Sequence, residues 1–385
     1  MTSSTVKTRF RMNTDLRFGV DILSSLPSSL SEKDFQYIGI IIDSNVKDLK
    51  EIRNLCEKLE NQFKTKIFFS DLAEPDYHYL DEFRLKMSDF QYDCLLGIGG
   101  GSVMDLSKGL AVLLKNEGPA IDFKGFPSLE NAPIPVVTVP TLAGTGSEIA
   151  FNAVFTDSDQ KMRLGINTEL NYPIMSFVDP SLSLSAPRNS VISGLMDCFC
   201  HTIEGYISDK ASVFTKELSK SAFHLLYRSM CTLSEEFDDI DARGDLYLSS
   251  IYANMALNNV GSGLGGAFSY PLGALYGVPH GVGEGIFIPY LVKLYVNRGF
   301  LGYTELYDLL PISNRKLSEL DKNKNFSNIL FELFDKIQAP KNLNSFGITR
   351  DDISTLIEQI RGSFHEAPVE FTDKDAQKLF EEFIL

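Results

Sequence analysis

Cys94-Leu-Leu-Gly-Ile-Gly99-Gly100-Gly101-Ser102-Val-Met-Asp105-Leu-Ser-Lys108 joins a continuous apolar run to three glycines and then to a helical pattern. An apolar run without polar alternation suits a strand buried on both faces, as in a parallel sheet. The glycines let the backbone approach a pyrophosphate with no Cβ in the way, and the helix start offers free N–H groups to it. Ser102 and Asp105 form a Ser-x-x-Asp start expected to cap that helix. Similar runs at 37–42, 66–69, 135–139 and 175–178 flank this unit, with amphipathic stretches at 46–63 and 77–89 between the first three. The alternation predicts a doubly wound α/β domain over residues 1–186.

Beyond Pro187 strand-like runs become scarce. Helical periodicity at 190–208, 211–236, 243–259, 282–297, 325–338, 350–361 and 373–384 predicts an all-helical domain over 187–385. Thr349-Arg-Asp-Asp352 and Thr372-Asp-Lys-Asp375 read as helix starts.

A second glycine-containing turn follows the next strand, at Val139-Pro-Thr141-Leu142-Ala-Gly-Thr145-Gly-Ser-Glu148. In a doubly wound sheet the loops at the carboxyl ends of the strands gather at one edge, so both turns can face one dinucleotide. Asp43 ends the first run, where a carboxylate can bind a ribose diol and repel a 2′-phosphate, favouring NAD over NADP. The competing role for Asp43 is capping of the next helix. The acid precedes the glycines here, unlike the usual dinucleotide fingerprint.

Asp197 and His201 in Met196-Asp-Cys-Phe-Cys-His201 stand four apart and project from one helix face, and His280 in Val-Pro-His280-Gly can close a metal site with them. Three protein ligands leave a position open for catalysis. The plainer alternative is an Asp–His side-chain hydrogen bond.

The 385 residues allow two domains, and 44% apolar with 23% charged residues is ordinary for a globular protein. A formal charge of −15 disfavours nucleic acid and anionic membrane as partners. No run approaches the roughly twenty apolar residues of a membrane span, and the N-terminus lacks a signal-peptide core, so a cytoplasmic location is expected. The five cysteines lack framework spacing, and Cys198 and Cys200 read as packing residues.

Together these segments resemble the iron-containing (group III) alcohol dehydrogenase family, within the superfamily of glycerol dehydrogenase and dehydroquinate synthase. The resemblance rests on Phe18-Gly-Val-Asp, Gly97-Ile-Gly-Gly-Gly-Ser-Val-Met-Asp105, Pro140-Thr-Leu-Ala-Gly-Thr-Gly-Ser-Glu148, Asp197-Cys-Phe-Cys-His201-Thr-Ile-Glu204, Asn259-Val-Gly261 and Pro279-His-Gly281. It implies an NAD-binding α/β domain, a helical domain, a cleft between them, iron or zinc, and a homodimer in which Arg9-Phe-Arg-Met12 would suit cross-subunit strand pairing. Carried over by position, the metal ligands are Asp197, His201 and His280. The NAD contacts are Asp43, Gly99, Gly100, Gly101, Ser102, Asp105, Thr141, Leu142 and Thr145.

The family usually has histidine where this chain has Gly266, and a second where it has Tyr270. Three readings stay open: a three-ligand metal, Tyr270 as proton donor or relay, or loss of the metal. Ser269-Tyr270, the Asp197–His201 helix and Leu164-Gly-Ile-Asn167 look closer to the branch containing 3-deoxy-octulosonate 8-oxidase, which suggests a polyol, sugar or sugar acid and a place in carbohydrate metabolism. Arg163 is a candidate partner for a carboxylate or phosphate. The alternatives are a sugar-phosphate cyclase of the dehydroquinate synthase type and a metal-free, non-catalytic relative.

Overall fold

The computed structural model describes residues 9–72 and 74–384. The chain divides into two compact units, Met12–Pro187 and a second formed by Arg188–Leu385 with the N-terminal residues up to Arg11.

The first unit holds strands β1 (Asp15–Phe18), β2 (Tyr37–Asp43), β3 (Lys64–Ser70), β4 (Cys94–Gly99), β5 (Val136–Pro140) and β6 (Met175–Val178). Their order is β1-β6-β5-β4-β2-β3, with every neighbouring pair parallel. Helices α1 (Lys50–Gln62), α2 (Tyr77–Met87) and α3 (Gly101–Leu113) cover it. On one face Ile41, Leu95 and Val136 pack with Leu80 and Phe83 of α2 and Leu106 and Leu110 of α3. On the other, Ile40, Leu96, Val137 and Phe177 pack with Ile52, Leu55 and Leu59 of α1. Both faces are therefore apolar, which explains runs such as Ile40-Ile-Ile42 and makes the sheet doubly wound.

Two details differ from the sequence reading. Helix α3 begins at Gly101 with Gly100 as its N-cap, so Ser102 lies inside the first turn and does not cap it. Asp105 turns instead to Ser147 Oγ and to Val154 N at 2.9 Å. Strand β1, Asp-Leu-Arg-Phe, was not anticipated, because an edge strand of mixed polarity carries no apolar run.

The regular elements described in the second unit are helices: α4 (Arg188–Ile207), α5 (Val213–Glu235), α6 (Ile240–Val260), α7 (Leu264–Tyr276), α8 (His280–Gly285), α9 (Ile288–Asn297), α10 (Glu319–Lys336), α11 (Ile353–Ile360) and α12 (Asp373–Phe383), with shorter turns between them. Thr349 and Thr372 both form capping boxes, the first opening a 3-10 turn ahead of α11. The helix expected over 282–297 is two helices, and Pro289 in the first turn of α9 marks the restart.

Helix α7 was missed, since Leu-Gly-Gly-Ala-Phe-Ser-Tyr-Pro has poor helix propensity. It forms because Leu264, Ala267, Phe268 and Leu272 are buried and the Glu204 carboxylate accepts the backbone N–H groups of Gly263 (2.7 Å), Gly265 (2.5 Å) and Gly266 (3.2 Å) at its start. The Arg11 backbone is held by the Asn259 side chain through N–H to Oδ1 at 2.8 Å and Nδ2–H to O at 3.1 Å. All five cysteines are free thiols, with Cys94, Cys198 and Cys200 buried. Among the described residues no helix is long and apolar enough to cross a membrane.

Candidate metal centre and dinucleotide cradle

In the helical unit, α4 and α8 pack backbone to backbone. A Cβ at Gly281 would lie 2.1 Å from Ser193 O, and one at Gly285 would lie 2.5 Å from Met196 Cβ, so larger residues would force the helices apart. This approach sets Asp197 and His201, one turn apart on α4, against His280 and Glu284, one turn apart on α8. One ligand atom from each of the four lies within 4.8 Å of the others. His280 Nε2 is 3.0 Å from Glu284 Oε1, His201 Nε2 is 3.2 Å from Glu284 Oε2, and His201 Nε2 is 3.5 Å from Asp197 Oδ1. The sequence-predicted trio is thus brought together.

Glu284 was missed. Its spacing from His280 is i, i+4, the same signal that marked Asp197 and His201, but the helix read from the sequence began at 282 and left His280 outside it, whereas the helix starts at His280. Gly266 faces this residue: a Cβ there would meet Ser262 Oγ at 1.9 Å and Glu284 Oε1 at 3.3 Å.

The site is strongly charged for its depth. The Asp197 and Glu284 side chains are only 3% and 2% exposed, a costly place for two carboxylates without compensating positive charge. Burial, with Glu284 adding to it, pushes the Asp197 carboxyl up to about 6. Burial alone would lower His201, but Asp197 and Glu284 outweigh it and raise the imidazole to about 9. Burial would also raise Glu284, yet His280 and His201 hold it well below the usual carboxylate range. Burial and the carboxylates of Glu204 and Glu284 keep the Cys200 thiol protonated. That leaves two imidazoles and two carboxylates as the donor set. Asp197 Oδ1, wholly buried, makes no hydrogen bond, which fits an atom reserved for a cation. These donors suit a first-row divalent metal such as iron or zinc.

Two neighbours frame the cluster. Asn254 Nδ2 lies 3.2 Å from His201 Nδ1, on the ring edge away from the carboxylates. Tyr270, half-buried on α7, stacks on the His280 ring with centroids 6.2 Å apart and planes inclined by 26°.

In the α/β unit the carboxyl ends of β2, β4 and β5 bring the other predicted residues together. Gly99 is in register with Pro140, and Thr141 N donates to Gly99 O at 2.9 Å, so the two turns are joined. Gly99 has φ 157°, and a Cβ there would be 2.9 Å from Asp43 Cβ. A Cβ at Gly101 would be 2.7 Å from Thr145 Oγ1, whereas one at Gly100 would meet nothing within 4 Å. The strand ends thus leave open space over Gly100, a cradle suited to a phosphate group. Asp43 does not cap a helix, because α1 starts later with Leu49 as N-cap; its Oδ1 accepts from Asn45 N and Nδ2, both at 2.9 Å. Leu142 follows Thr141 in the same loop.

Lys108, fully buried, was not singled out from the sequence. Its Nζ lies 2.9 Å from Asp105 Oδ1, 2.8 Å from Ser147 Oγ and 3.1 Å from Ser147 O, tying α3 to the second turn. Arg163 is taken by an ion pair with Glu74.

Residues 13–180 match the family described as iron-containing alcohol dehydrogenase, and residues 191–384 match its C-terminal domain family. The chain is 29% identical over 268 residues to 1,3-propanediol dehydrogenase of Klebsiella pneumoniae, covering 70% of this chain and 69% of the relative. It is 25% identical over 359 residues to lactaldehyde reductase of Escherichia coli (strain K12), covering 91% and 92%. The crystal structure of a 1,3-propanediol oxidoreductase superposes with a TM-score of 0.91 at 23% identity, covering 98% of this chain and 99% of the other. A sulfoacetaldehyde reductase from Bifidobacterium kashiwanohense, solved with NAD+, superposes at 0.86 with 21% identity, covering 98% and 99%. The chain belongs to the iron-containing alcohol dehydrogenase family, oxidoreductases that act on CH–OH groups.

Proposed function

We propose that this protein is an NAD-dependent, metal-assisted alcohol dehydrogenase that moves hydride between a carbon-bound hydroxyl and nicotinamide, with a polyol, sugar or sugar acid as substrate. The observation that carries the reading is the convergence of Asp197, His201, His280 and Glu284 on one buried point in a chain of this family. A divalent metal bound there would polarise the substrate oxygen and ease loss of its proton. Asp197, His201 and His280 hold it through a carboxylate and two ring nitrogens. Tyr270 would exchange a proton between the hydroxyl and water, a role supported by its stacking on His280 and its partial exposure. Gly99 to Ser102 and Thr141 to Thr145 cradle the pyrophosphate, Asp105 fixes the second turn through Ser147, and Asp43 selects NAD through the ribose diol. The NAD+ complex of the sulfoacetaldehyde reductase supports the choice of nucleotide.

The test pairs native mass spectrometry of protein purified without chelator with NAD+ reduction over a panel of polyols and sugar acids. One iron or zinc per chain and nicotinamide reduction with a panel member are expected. His280→Ala should lose both metal and turnover while remaining folded by circular dichroism; full turnover in that variant would overturn the metal-assisted reading.

A further inference from the structure

We infer that Glu284 is the fourth protein ligand of the metal, and that it occupies the place left by the absence of a side chain at Gly266. The inference rests on the metal-assisted reading above and adds a ligand to it.

Glu284 touches both histidines: Oε1 lies 3.0 Å from His280 Nε2 and Oε2 lies 3.2 Å from His201 Nε2. A metal shared by the two histidines would be held through those ring nitrogens, and the carboxylate lies within reach of the same point. The side chain is 2% exposed, and solvent cannot be what stabilises its charge. Ser269 Oγ, 3.5 Å from Oε1 and also donating to Gly266 O at 2.8 Å, is weak support for a buried anion. His280 and His201 can offset that charge only while protonated; as metal ligands both rings must be neutral, and a cation held among them would then supply the positive charge that Glu284 needs.

The space around it excludes a competitor. A Cβ at 266 would already stand 3.3 Å from Glu284 Oε1 and collide with Ser262 Oγ, so any longer side chain from 266 would enter the volume that Glu284 fills. The donor is thereby delivered from α8 rather than α7, one turn beyond His280, and the ligand set becomes two residues from each of two helices. Its two carboxylates would balance the formal charge of a divalent ion, where an imidazole in the fourth place would leave one positive charge.

The experiment is titration of metal-stripped full-length protein with Co2+, read by its visible absorption and by metal content after gel filtration, for wild type, Glu284→Gln and Glu284→Asp. Glu284→Gln keeps the shape and removes the charge. It should weaken Co2+ binding at least about a hundredfold, beyond the range usual for groups that merely orient a ligand, and shift the visible bands. Glu284→Asp, which retains a charge on a shorter stem, should also shift the bands and keeps the question answerable if the amide does not fold. Wild-type affinity and unchanged bands in a folded variant of either kind would overturn the assignment and leave Asp197, His201 and His280 as the set. A wild-type chain that takes up no Co2+ would instead overturn the metal-assisted reading itself.

Discussion

Gly266 and Glu284 address one volume from two helices: a Cβ on the first would lie 3.3 Å from Oε1 of the second. The pair therefore behaves as alternatives. Gly266→His should overpack against Ser262 and Glu284, costing about 1–3 kcal/mol and weakening Co2+ uptake. The double variant Gly266→His/Glu284→Ala makes room and offers an imidazole instead. It should recover stability and part of the metal binding. Thermal melts and Co2+ titrations of the single and double variants measure this coupling, and additive losses would count against a shared volume.

His201 presents Nε2 to the carboxylates and Nδ1 to Asn254. A metal on Nε2 requires the proton on Nδ1, so the amide must then turn its oxygen toward the ring. Asn254→Asp keeps an acceptor there and Asn254→Leu does not. Metal affinity should fall roughly 10–100-fold in the leucine variant and stay nearer wild type in the aspartate variant. Equal affinity in both would show that Asn254 only packs.

The β2 end presents Asp43 beside the Gly99 turn, with Oδ1 fixed by Asn45. Replacing it by serine removes a ribose acceptor and the charge that opposes a 2′-phosphate. In Asp43→Ser the ratio of kcat/KM for NADP to that for NAD should rise by about tenfold, equivalent to roughly 1.4 kcal/mol. Initial rates with both nucleotides decide it. An unchanged ratio would mean that selection lies elsewhere in the cradle.

Much of this was legible because the responsible physics is local. Buried parallel strands must be apolar on both faces, so 37–42 and 94–98 could be read without knowing their neighbours. Asp197 and His201 declared themselves because i, i+4 spacing on an evidently helical stretch needs no tertiary information. Glu284 has the same spacing from His280 but was hidden, because the helix read there began at 282 and left His280 outside it. Gly281 and Gly285 let α8 approach α4, and that need is invisible until the helices are packed. Helix α7 was hidden likewise, since its start is capped by Glu204, some sixty residues away in sequence. Ser102 misled because a Ser-x-x-Asp pattern marks a cap only when Ser is the cap; with Gly100 in that place, Asp105 was released to bind Ser147.

Glu148, at the end of the second turn, is fully buried, and its Oε1 finds no hydrogen bond. Burial raises its carboxyl from 4.5 to about 7, with a backbone N–H and Lys108 pulling only partly back. The folded chain thus binds this proton more tightly than the unfolded chain between those two values. Stability from this group is fully present below the unfolded value and is lost as pH rises toward the folded one, by roughly 3 kcal/mol across the window. Glu148→Gln cannot ionise. Its stability relative to wild type should improve between pH 4.5 and pH 8 by about that amount, in urea melts run at both ends. A constant difference would show that Glu148 is ionised in the folded protein, with its charge carried by Lys108.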